Sequence, residues 1–175
     1  KLEIEELETM SKGLRMALKY AKDKRRFTIL EGMYAESLVA QKLLENKHSV
    51  EFHAPPFDLL VDGKKRIEVK CGKLWEWGSG ASFGKGDQIR KNKFDFCVFV
   101  IIQRDSYEPL KFFVFSREEL EECAIPRPDL TEPNTPCILF YLENPKNIEE
   151  SEKKGERIFK VEKELVYHPD RFQDR

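Results

Sequence analysis

Histidine is scarce in this chain. The three present, His48, His53 and His168, are too scattered for an HNH-type or zinc arrangement. The four cysteines, at 71, 97, 123 and 137, include no Cys-x-x-Cys pair, so neither a zinc site nor a disulfide framework is indicated. Cys71, Cys97 and Cys137 lie in or beside apolar runs and read as packing residues. No apolar stretch approaches the roughly 20 residues needed to span a bilayer. No secretory signal pattern opens the chain, and a reducing cytoplasm is the expected setting. The glycines build no Walker loop: Gly84-Lys85-Gly86 lacks the Gly-Lys-Ser/Thr that a P-loop needs. Charge of one sign is also missing. A net charge of −1 and a pI near 6.4 are not those of a general polyanion binder.

Its 175 residues, 40% of them hydrophobic and 13 of them phenylalanine, suit a single domain with a real core. The near-neutral total hides an uneven distribution. Residues 58–93 hold nine Lys/Arg against five Asp/Glu, while residues 116–175 hold ten against fifteen. A locally basic segment suits a phosphate-facing surface, and charge runs are otherwise solvated faces.

Hydrophobic periodicity divides the chain. Ile4, Leu7, Leu14, Leu18 and Ala21 recur at three- and four-residue steps over 2–24, with Ser11 in the polar gap. This predicts one long amphipathic helix that ends in the basic run Lys22, Lys24, Arg25 and Arg26. A second helix is expected over Thr28–Lys47, its core stripe running through Ile29, Met33, Ala40, Leu43 and Leu44, with Val39 at the border. Strands follow at about 49–53, 57–62 and 65–71. Phe94–Gln103 is almost continuous in apolar β-formers and predicts a central strand covered on both faces. Leu110–Phe115 predicts another strand, followed by a short helix with Ser116 as N-cap. Pro126–Pro136 is loop, Cys137–Leu142 a last strand, and 146–168 polar helical material. No internal repeat is evident. Residues 1–26 are expected to pack as an N-terminal helix on a single domain spanning 27–175. The class is α/β, a central mixed sheet flanked by helices.

The chemistry concentrates in Pro56–Lys70, PFDLLVDGKKRIEVK. Asp62-Gly63-Lys64 is a strong hairpin signal, since glycine tolerates the positive φ of tight turns. A turn centred on Gly63 puts Asp58 opposite Glu68 or one residue away. Side chains alternate along a strand, so Glu68 and Lys70 share one face while Ile67 and Val69 share the other. Two carboxylates and an ammonium then converge, able to hold a divalent cation between oxygens with a positive charge beside it. The competing reading is a solvated hairpin with charged residues on its exposed face. Glu36 falls in the middle of the second helix's stripe, with Gly32 one turn earlier. A carboxylate on a core-facing stripe is costly unless paired or bound to metal; otherwise it reaches solvent at the stripe's edge. Downstream, Ser82–Lys91 predicts a glycine-rich loop entering a short helix capped by Asp87, whose N-terminus, followed by Arg90, Lys91 and Lys93, would attract phosphate. Trp75 and Trp77 follow the hairpin, either stacking on bases or anchoring their loop.

Pro56 and Asp58 with Glu68-Val69-Lys70 resemble the PD-(D/E)xK nuclease superfamily, the restriction-endonuclease-like fold of many restriction enzymes, repair nucleases and archaeal Holliday-junction resolvases. Phe57 separates the proline from the aspartate, a loose position in that pattern. The resemblance implies a Mg2+-dependent DNA nuclease, with Mn2+ able to substitute. Asp58, Glu68 and the Val69 carbonyl would be metal ligands, with Glu36 completing the site directly or through water. Lys70 would orient or help deprotonate the attacking water, and Gln88 and Lys85 would hold that water or the scissile phosphate. Lys73, Trp75, Trp77, Lys85, Arg90, Lys91 and Lys93 are the candidate DNA contacts. RNA stays open as a substrate, and a homodimer is expected of an endonuclease that cuts both strands. Restriction, repair and junction resolution share these residues, so the fold does not choose among them. A catalytically silent DNA-binding relative is the alternative of another class.

Overall fold

The computed structural model describes residues 3–74, 80–83, 93–123 and 138–141. It opens on a helical hairpin. In α1 (Ile4–Tyr20), Glu3 and Glu6 form a reciprocal capping box at the start. In α2 (Lys24–Glu45), the Asp23 carboxylate caps the helix by accepting from the Arg26 amide at 2.9 Å. The first helix therefore ends before the basic run: Lys24, Arg25 and Arg26 open α2 instead of closing α1. Ser11 is not in a polar gap either. It is buried in the α1–α2 interface, where its hydroxyl lies 2.9 Å from that of Ser37. A buried hydroxyl needs a partner, and each serine supplies one.

A five-stranded sheet follows, in the order β1-β2-β3-β5-β6, from β1 (Val50–Phe52), β2 (Leu59–Val61), β3 (Lys65–Lys73), β5 (Phe96–Ile102) and β6 (Pro109–Ser116). β3 pairs parallel with β5, and the other pairings are antiparallel. The chain between β3 and β5 includes β4 (Gly80–Phe83), which pairs antiparallel with β7 (Ile138–Tyr141) in a separate two-stranded sheet. Ser82 and Phe83 thus belong to a strand and not to the expected loop; the helix expected after them lies outside the described residues. A short helix, α3 (Arg117–Cys123), leaves β6 with the Ser116 hydroxyl accepting from the Glu119 amide, as its N-cap position predicts.

The sheet separates two apolar layers. Leu59, Val61, Ile67, Val69, Val98, Val100 and Ile102 pack with α2 residues such as Tyr34, Val39 and Leu43. On the other face, Cys97, Phe99, Ile101, Phe113 and Phe115 pack with Phe57, Phe94 and Leu120. β5 is buried along nearly its whole length, as a strand covered on both sides must be.

The rotation of α2 differs from the periodic reading. Ile29 and Met33, expected in the core, are 55% and 45% exposed. The helix buries Tyr34, Ala35, Ser37 and Leu38 because it is packed against α1 as well as against the sheet. Only the C-terminal half of the expected stripe reaches the core: Val39, Ala40 and Leu43 are buried, with Leu44 packed against them.

Candidate active site

The hairpin that carries the site is fastened locally. Asp62 and Gly63 both take left-handed backbone, with φ of 51° and 65°, and the Lys64 amide donates to the Val61 carbonyl at 3.1 Å. Asp62 accepts from the Ser49 amide at 2.9 Å and lies 2.8 Å from His48 Nδ1, which ties the turn to the start of β1. These bonds hold the Asp62 carboxyl below its ordinary range. The register set by this turn pairs Leu59 with Ile67 and Leu60 with Arg66. Extended by one residue, it sets Asp58 opposite Glu68.

At that point β2 leaves the ladder. The Asp58 amide still donates to the Ile67 carbonyl at 3.0 Å, but the Val69 amide is taken by the Asp58 carboxylate, at 2.7 Å from Oδ2. A side chain has replaced a strand. The N–H and C=O of one strand residue point to the same side, so the Val69 carbonyl faces the same gap. The His53 amide holds the Asp58 carbonyl at 2.8 Å, and the His53 ring stacks on Phe57 with centroids 4.1 Å apart.

Glu68 and Lys70 project from the face of β3 opposite Ile67 and Val69. Glu68 is only 4% exposed, and its Oε1 accepts directly from Lys70 Nζ. Cys97, fully buried, is the β5 residue paired with Glu68. Burial keeps its thiol protonated, as expected for a packing residue. Asp58 fares differently from Glu68. Burial first, and then the Glu68 charge, push its carboxyl from the ordinary 3.8 up to about 6, against the pull of the Val69 amide and Lys70. Glu36 feels the same centre from α2: burial, then Asp58 and Glu68, raise it from 4.5 to about 7, with Lys70 opposing. Gly32 lies beside the Glu36 carboxylate. A Cβ there would meet Glu36 Oε1 at 3.8 Å and nothing else within 4 Å.

Glu36, Asp58, Glu68 and Lys70 therefore share one electrostatic centre, in which three carboxylates face one ammonium. The excess negative charge suits a cation. The available donors, two carboxylates and a backbone carbonyl, are all oxygens, which is the preference of Mg2+. Among the described residues no three His, Cys, Asp or Glu side chains gather closely enough to enclose an ion by themselves. Asp58, Glu68 and the Val69 carbonyl would leave the remaining positions to water, as Mg2+ commonly does, and Glu36 would act from outside that set.

Lys73 lies elsewhere. Its odd position on β3 puts it on the α2 side, with Nζ 3.7 Å from the Phe27 ring centroid, 5.3 Å from that of Tyr107 and 3.8 Å from Glu31 Oε1. This is an aromatic seat for an ammonium. Lys93 is exposed just before β5. Trp75, Trp77, Lys85, Gln88, Arg90 and Lys91 lie outside the described residues. Among the described residues no helix is long and apolar enough to cross a membrane.

No protein-family model matches the chain, and no curated protein does. Among solved structures, a bacterial homing endonuclease, I-Ssp6803I, is similar at 23% identity and a TM-score of 0.41, over 52% of this chain and 66% of that one.

Proposed function

We propose that the chain is a divalent-metal-dependent deoxyribonuclease with a restriction-endonuclease-like core. The observation that carries this reading is the gap where β2 leaves β3. There Asp58 takes the Val69 amide while the buried Glu68–Lys70 pair lies opposite. A structural ion pair would need no second and third carboxyl group pressed against it, and here Asp58 and Glu36 are both pushed up, by burial first and then by the neighbouring carboxylates.

Asp58, Glu68 and the Val69 carbonyl would hold Mg2+, or Mn2+ in its place. The chemistry such an ion supplies when bound is Lewis acidity, neutralising charge on the phosphodiester and acidifying a water. Lys70 places an ammonium where negative charge builds up on the phosphoryl oxygens, and its second role is to orient the attacking water. Glu36, which reaches the same centre from α2, would take a proton from that water. The Val69 amide fixes one oxygen of Asp58 and so holds that carboxylate beside the gap. Cleavage by this route is proposed to leave a 5′-phosphate and a 3′-hydroxyl. Junction or repair-type selectivity is the second reading, and the same residues would serve it.

The test is incubation with linear, circular, single-stranded and four-way-junction DNA, with Mg2+ and with EDTA. Asp58→Ala and Glu68→Ala should abolish cleavage in folded protein. Lys70→Ala should keep DNA binding while slowing cleavage on the order of a hundredfold. Equal cleavage in EDTA, or retained cleavage in either carboxylate variant, refutes the reading. DNA binding without cleavage by wild type would make the chain a silent relative.

A further inference from the structure

The exposed face of the N-terminal half of α2 has no role in the fold described above. Arg25, Ile29, Gly32, Met33 and Glu36 recur at three- and four-residue steps and so share one side of the helix; Arg26 borders it. Beyond Glu36 the same stripe is buried through Ala40 and Leu43; before it, Ile29 and Met33 stand open to solvent. Two large apolar side chains are thus exposed one and two turns from a catalytic carboxylate. Arg25 and Arg26 are exposed at the top of the stripe, and neither forms an ion pair among the described residues.

The charge pattern runs against helix stability. The first turn of a helix favours acidic residues, because the dipole's positive end lies there. α1 follows that rule with Glu5 and Glu6, whereas α2 has no acid in its first turn and carries Lys24, Arg25 and Arg26. A polyanion lying on this face would offset that cost. Glu36 lies eleven residues from Arg25, about 16 Å along the axis at 1.5 Å per residue. That is about five steps of a DNA strand at 3.4 Å each.

We propose that Arg25, Arg26, Ile29 and Met33 form the track along which duplex DNA runs into the Glu36–Asp58–Glu68 centre, an inference that rests on the nuclease reading. Arg25 and Arg26 hold phosphates upstream of the cut. Ile29 and Met33 lie against sugar and base edges, where apolar side chains contact thymine methyls or wedge at base steps. Gly32 keeps the helix surface low next to Glu36, so the strand can descend to the carboxylates.

The experiment compares wild type, Arg25→Glu/Arg26→Glu and Ile29→Ser/Met33→Ser. Binding to a 30-base-pair duplex is measured by anisotropy in Ca2+ from 50 to 200 mM KCl, and hydrolysis of bis(p-nitrophenyl) phosphate is measured in Mg2+ and Mn2+. The charge-reversal variant should lose about tenfold or more in duplex affinity and about two units of salt slope, while its melting temperature is unchanged or raised. The apolar variant should lose affinity with the salt slope kept. Both should hydrolyse the small diester as wild type does, since it reaches the carboxylates without the track. Duplex affinity and slope equal to wild type in both variants overturn the inference. So does a self-association of wild type that the apolar variant abolishes while duplex affinity stays unchanged. Absence of any metal-dependent hydrolysis by wild type sinks the nuclease reading alone, because weakened duplex binding by the variants would still place DNA on this face.

Discussion

Asp58→Asn should make the metal-free protein more stable at pH 8 and catalytically dead. In the folded state the Asp58 carboxyl titrates at about 6 instead of 3.8, since it is buried and faces Glu68. The folded protein therefore holds a proton that the unfolded chain releases. Stability attached to this group is fully present below pH 4, falls as pH rises, and is gone above about pH 6. A shift of about two units corresponds to at most about 3 kcal/mol, at 1.36 kcal/mol per unit. Partial solvation reduces that to about 1–3 kcal/mol. Asparagine is isosteric, keeps an oxygen for the Val69 amide and carries no charge, so it escapes the penalty. For a chain of this size the gain is roughly 2–10 °C in melting temperature. Thermal melts in EDTA at pH 4 and pH 8 measure it: the variant should match wild type at pH 4 and exceed it at pH 8. Saturating Mg2+ should reverse the order, because an ion at 100 times its Kd adds about 2.7 kcal/mol to the protein that binds it. A variant that melts below wild type at pH 8 in EDTA, or a difference independent of pH, would refute the electrostatic account.

Gly32→Ala should stabilise α2 by about 0.5–1 kcal/mol, because glycine is a poor helix former and the added Cβ meets only Glu36 Oε1, at 3.8 Å. Cleavage should slow as the carboxylate becomes covered; a denaturant midpoint that does not rise, or a rate that does not change, counts against Gly32 as an opening to the site. Lys73→Met should lower stability by about 0.5–2 kcal/mol through loss of the contacts with the Phe27 and Tyr107 rings. Its DNA-binding salt slope should equal that of wild type, and a slope reduced by one unit would return Lys73 to the phosphate contacts.

Much of the site is written in short-range sequence. Asp-Gly sets the left-handed turn, the turn sets the register, and the period of two then fixes that Glu68 and Lys70 share a face opposite Ile67 and Val69. The alternation also separates Lys73 from Lys70, although only the fold supplies the Phe27–Tyr107 seat that gives Lys73 its role. Local pattern could not determine the rotation of α2. Its apolar positions serve two partners, α1 and the sheet, so a single stripe drawn through Ile29, Met33 and Leu43 buries residues that the structure leaves in solvent. Nor could it show that β2, read outward from the turn, ends at Leu59, one residue short of Asp58, which hands the Val69 amide to a carboxylate and opens the gap. Residue types and their alternation are properties of a few neighbouring peptides. Helix rotation and the point where a strand leaves its ladder depend on competition between distant surfaces, and only tertiary packing decides them.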